Sequence, residues 1–236
     1  MDDVVEEPGR AQRDAILLVA IAIAAWCVGI FAEELVYGTL THLAFAVPPS
    51  TLLAATLWTR ELVVLAVALL TYRWAFPSSP FASIGIRGSS LGNALLGALF
   101  GAAFICAVWY VQKTFHVHSW ASTVTAFFTD PRSATGVTRV MLPLQIAGLS
   151  PIVQEVVFRG FVFTGLSRLF NTGIAVVASA AIFSLSHASS GPFTLAHSFV
   201  FGLIAAELFR RTKSLVPSAV MHVVVNGFSQ VTALLH

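Results

Sequence analysis

The chain has 236 residues, of which 57% are hydrophobic and only 10% charged, with a formal net charge of +2. A mean hydropathy of +0.84 lies well outside the balance of a soluble domain, and no basic cluster is large enough to bind nucleic acid. The composition predicts an all-α, polytopic transmembrane helix bundle with membrane lipid around it.

Apolar runs close to the roughly 20 residues that cross a bilayer recur at 14–32, 51–72, 91–112, 138–168, 171–190, 193–211 and 214–235. They predict seven spans in one transmembrane domain over 14–236. The count rises to eight if Pro143 and Pro151, which remove backbone donors, divide the run at 138–168. Residues 1–13 form a tail without an apolar core, and the run after them is too long for a removed signal peptide and lacks a cleavage site. It is expected to remain as the first span. Arg10, Arg13, Arg73, Arg87, Arg168, Arg210, Arg211 and Lys213 fall on one side of the bundle, against Lys113, Arg132 and Arg139 on the other. The positive-inside rule then places the N-terminus in the cytoplasm, with the bundle in the cell membrane.

Taken in order, the first half reads mostly as scaffold. Glu33 and Glu34 are expected to be an interfacial acidic pair ending the first span. Arg60 and Glu61 sit inside the second run. Either they pair within the bundle, or the span starts later with Trp58 at the interface. Gly92, Gly97 and Gly101 offer small surfaces for close helix approach. Between Lys113 and Gly136 the chain turns polar and aromatic, with His116, His118, Trp120, Phe127 and Phe128, which suits an outer loop or a lid over a substrate opening. The two cysteines, Cys27 and Cys106, lie within spans and read as packing residues rather than a disulfide or metal framework.

The second half holds the chemistry. Ionisable groups are expensive in hydrocarbon, so the run Gln154-Glu155-Val156-Val157-Phe158-Arg159-Gly160 is a candidate functional site. Glu155 and Arg159 share a helical face at i and i+4, while Gln154 lies about 100° round and aims its amide at a different neighbour. His187 follows Phe183 by one helical turn, and His222 and Asn226 share a face of the last span. A carboxylate or amide, two imidazoles and an Asn facing one bundle interior supply a base, a second proton carrier and oxyanion donors for water-driven hydrolysis. No Ser/His/Asp order and no His-Glu-x-x-His zinc signature is present.

These motifs resemble the CPBP family of intramembrane glutamic proteases, which includes the CAAX prenyl endopeptidases and the bacterial Abi proteins. The resemblance lies in Glu-Glu-x-x-x-Arg-Gly (here from Gln154 to Gly160), Phe-x-x-x-His (Phe183 to His187) and His-x-x-x-Asn (His222 to Asn226), and covers about 142–227. The stretch from Gly202 to Thr212 also looks like the family's small-residue helix with a basic end, where Glu207 and Arg211 read as an i, i+4 interfacial pair. The resemblance implies an intramembrane endopeptidase acting near the C-terminus of a membrane-associated peptide or protein substrate, as in CAAX-like or sorting-tag processing, without metal or cofactor. By position it implies that residue 154 and His187 activate water, His222 and Asn226 hold the oxyanion, and Glu155 with Arg159 supports the motif helix. His197 matches no motif residue and reads as a polar packing contact.

Gln154 departs from the family pattern, in which a catalytic glutamate stands first. An amide keeps the carboxylate's shape but takes no proton near neutral pH, so the base step is expected to fail in a chain that still folds. Three explanations stay open: an engineered Glu to Gln change, a natural pseudoprotease, or a clade in which Glu155 serves as base. Other readings are metal hydrolysis with Glu155, His187 and His222 as ligands, a non-catalytic peptide-binding membrane protein such as a bacteriocin-immunity or sorting partner, and a small transporter.

Overall fold

A computed structural model describes residues 9–43, 49–117 and 136–235. Among them are seven helical rods and no strand: α1 (Arg10–Leu43), α2 (Pro49–Ala75), α3 (Leu91–Phe115), α4 (Thr138–Leu169), α5 (Thr172–Leu185), α6 (Pro192–Thr212) and α7 (Val216–Leu235). Their positions follow the seven apolar runs. Residues His118, Trp120, Phe127 and Phe128 of the expected lid lie outside the described residues.

The helix ends are set by local chemistry. Ser90 caps α3 by accepting from the Asn93 amide, and Asn171 caps α5 by accepting from that of Ile174. Pro192 opens α6 at a position where its missing N–H has no helical partner to lose. Lys213 closes α6 in the left-handed region at φ 54°.

Among the described residues five helices, α1 to α4 and α6, are long and apolar enough to cross a membrane, so the expected seven spans are not confirmed. Helix α5 has 14 residues, or about 21 Å of rise against about 30 Å of hydrocarbon. Helix α7 has 20 residues and carries His222, Asn226 and Gln230 among apolar side chains. No eighth span arises either, because Pro143 and Pro151 do not divide α4. It passes from α to π geometry over Gln145–Leu149, returns to α over Ser150–Glu155, and widens again over Val156–Phe163.

The first widening has a readable cause. In π geometry the Ser150 amide donates to the Gln145 carbonyl, so the Ile146 carbonyl falls to residue 151, a proline with no N–H. Asn226 of α7 supplies the missing donor, its Nδ2 lying 2.9 Å from that oxygen. A side chain on the last helix thus completes the backbone of the motif helix.

Helix α4 is the hub, packing against α1, α2, α5, α6 and α7, while α1 lies along α2, α3 along α7 and α5 along α6. Small residues set these distances. A Cβ on Gly97 or Gly101 would run into the backbone of Pro217 or Met221 on α7, and one on Gly202 into Ala180 on α5. Gly92, by contrast, faces no neighbouring helix. Phe209 occupies the space where Gly85, at φ 83°, would carry a Cβ, and the Gly85 carbonyl accepts from the Leu215 amide at 3.0 Å. That contact ties the turn before α3 to the start of α7.

The structure decides three readings of the first half. Helix α1 does not end at Glu33 and Glu34 but runs on to Leu43, and Glu33 bonds Arg60 of α2 at 3.2 Å. Helix α2 starts well before Trp58, so Arg60 and Glu61 lie inside the bundle, with Glu61 fully buried. Cys27 and Cys106 point outward rather than into the packing.

Candidate active site

Glu155 and Arg159 are 0% and 1% exposed, which in an apolar bundle requires compensation on every side. Arg159 Nη1 lies 3.2 Å from Glu155 Oε1, and His222 Nδ1 reaches the same oxygen at 3.0 Å. The guanidinium stands over the Phe183 ring at 4.5 Å and its Nη2 donates to the Gly202 carbonyl at 3.4 Å. Four helices, α4, α5, α6 and α7, therefore converge on one ion pair. The i, i+4 spacing of Glu155 with Arg159 announced the pairing; the partners on the other three helices were not legible from it.

Phe183 also explains its own place in the Phe-x-x-x-His motif. Its ring meets His187 at 4.9 Å between centroids, His222 at 5.8 Å and Phe201 at 5.6 Å. It forms an apolar wall between the arginine and the two imidazoles.

The histidines are held by one nitrogen each. His187 Nδ1 lies 3.1 Å from the Phe183 carbonyl, and His197 Nδ1 lies 2.9 Å from that of Phe193. A carbonyl only accepts, so Nδ1 carries the proton and Nε2 of each ring presents a lone pair. His222 likewise turns Nδ1 to a carboxylate, which leaves Nε2 as its free edge. All three rings, with Asn226, Phe183 and Phe201, line one cavity of about 110 Å³.

His187, His222 and Asn226 are thus gathered as the motifs suggested, and His197 joins them. Sequence reading assigned His197 to packing because it lies in no motif; the available signal was a third imidazole on an otherwise apolar helix. Gln154 is not part of the cavity lining. As its angular offset from Glu155 predicted, it turns elsewhere, its Nε2 donating to Ser150 Oγ at 2.9 Å. Glu207 pairs as expected with Arg211, and with Arg210 as well, at the end of α6.

The proposed ligand set of Glu155, His187 and His222 does not fit a metal. Glu155 Oε1 is engaged by Arg159 and by the His222 nitrogen nearest it, and among the described residues no three His, Cys, Asp or Glu side chains are grouped to hold an ion.

Comparison with known families places one match on this region. The profile described as type II CAAX prenyl endopeptidase Rce1-like matches residues 137–228, a segment that begins just before α4 and ends within α7. No curated protein and no solved structure matches the chain.

Proposed function

We propose, from the match of residues 137–228 to the Rce1-like CAAX prenyl endopeptidase family, that the chain is an intramembrane endopeptidase that cleaves near the C-terminus of a membrane-associated substrate. The observation that carries the reading is the gathering of His187, His222 and Asn226 around one cavity beside the Glu155 and Arg159 pair.

In the proposed reaction a water oxygen bonds to the scissile carbonyl carbon while its proton passes to the Nε2 lone pair of His187 or, once the side chain at 154 has rotated from Ser150 toward the cavity, to a carboxylate at that position. The carbonyl electron pair becomes an oxyanion. With Nδ1–H on Glu155, His222 donates to that oxyanion from Nε2 as the doubly protonated imidazolium paired with the Glu155 carboxylate, and the second N–H of Asn226 is a further donor. Collapse breaks the C–N bond, and the departing amine takes the proton. Glu155 is assigned the supporting role, since its carboxylate is fully buried and its Oε1 is held by both Arg159 and His222.

In this chain the amide of Gln154 cannot serve as the base. Replacing Gln154 by Glu is expected to raise cleavage by about a hundredfold or more, read by mass spectrometry of membrane-protein C-termini in cells carrying either form. If no C-terminus changes with either form, the peptidase reading falls and a peptide-binding role takes its place. Loss of cleavage in Glu155→Gln with the protein still folded would return the base to position 155. The bundle is proposed to lie in the cell membrane with its N-terminus in the cytoplasm, on the loop charges alone.

A further inference from the structure

Glu61 of α2 is fully buried, outside every motif, and unused by the reaction above. Its Oε1 accepts from Ser150 Oγ at 3.0 Å, and Ser150 Oγ in turn accepts from Gln154 Nε2 at 2.9 Å. The same Oε1 accepts from Arg60 Nη2 at 2.9 Å, while Oε2 has no partner among the described residues, and Arg60 Nη1 donates to Glu33 of α1 at 3.2 Å. A polar chain therefore runs Glu33, Arg60, Glu61, Ser150, Gln154, from the first two helices to the residue on which the chemistry turns.

Counting protons fixes its direction. A serine hydroxyl has one hydrogen, and here it is committed to a carboxylate that can only accept. Ser150 can then only receive from position 154, which must present an N–H. Gln meets this condition. An ionised Glu at 154 does not, because two buried carboxylates would face one hydroxyl hydrogen. Reversing the two residues restores the count: a Gln at 61 would donate to Ser150, and Ser150 would donate to a Glu at 154.

We propose that Glu61, acting through Ser150, is the positioning residue that determines which side chain position 154 accepts and how it is oriented. The amide at 154 is on this view fitted to its surroundings, and a carboxylate at 154 lowers stability unless an amide stands at 61. The importance of position 154 for turnover rests on the peptidase reading; the pairing of the two positions does not.

The test is a cycle of thermal unfolding on the full-length protein in lipid nanodiscs. Gln154→Glu and Glu61→Gln alone are each expected to lower Tm by about 5 °C, the loss of one charge-assisted hydrogen bond in a chain of this size. The reversed pair E61Q/Q154E is expected to regain more than half of the summed loss. In a Ser150→Ala background, which cuts the chain between the two sites, the regain is expected to disappear. Additive losses in the reversed pair, or a regain that survives Ser150→Ala, would overturn the proposal. Cleavage is read separately on the same proteins: a Tm regain without activity counts against the peptidase reading alone, and activity without a regain counts against the role of Glu61 alone.

Discussion

Arg159 is 1% exposed, and its charge is balanced by Glu155, the Gly202 carbonyl and the Phe183 face. Truncating it strands a buried carboxylate, a loss of about 3–5 kcal/mol. Arg159→Ala is therefore expected to deplete folded protein in detergent, and Arg159→Lys to rescue little, since a point charge cannot satisfy carboxylate, carbonyl and ring together. The two motif histidines separate by the same reasoning. His222 donates to Glu155 across helices, so His222→Ala is expected to lower stability by about 2 kcal/mol. His187 is tied only to Phe183 and Ser186 beside it in sequence, so His187→Ala is expected to leave Tm nearly unchanged while abolishing cleavage in a Gln154→Glu background. Equal Tm losses for the two would contradict this division of roles.

At the level of helices, α3 and α7 touch through glycine. Gly97→Val would press a branched side chain into the Pro217 backbone, and overpacking of this kind lowers stability by about 1–3 kcal/mol. Gly92→Ala, on a face with no neighbouring helix, is expected to be neutral or to raise Tm slightly through helix propensity. Thermal unfolding of both variants checks the pair, and a large loss at Gly92 would show that its face meets something. The sequence marked all three glycines of α3 alike, because small residues at helical spacing look the same whether or not a partner lies opposite. Likewise Pro143 and Pro151 signalled a break in α4; that the break is absorbed as π turns depends on Asn226, 80 residues from Ile146.

Among the described residues a set of polar groups including Glu61, Glu155 and Arg159 is buried while large apolar side chains such as Leu70, Trp74 and Leu91 face outward, the arrangement a lipid solvent requires. Cys27 and Cys106 lie on that outer surface. In liposomes, nitroxide-labelled lipids are expected to quench a fluorophore attached at either cysteine, and water-soluble quenchers to be far less effective; the reverse would place these faces against water or a partner. The sequence by itself determined the membrane class, the positions of the seven helical segments, and the three motifs around the candidate site, because composition and i, i+4 spacing are local properties. Only the tertiary structure decided that α5 is too short to count as a span of its own and that α4 is one rod. It also joined Glu33, Arg60 and Glu61, which read as scaffold, to Ser150 and Gln154. The physical reason is that a buried polar group must be satisfied by whichever neighbour packing brings within about 3 Å, and no periodicity along the chain records that neighbour.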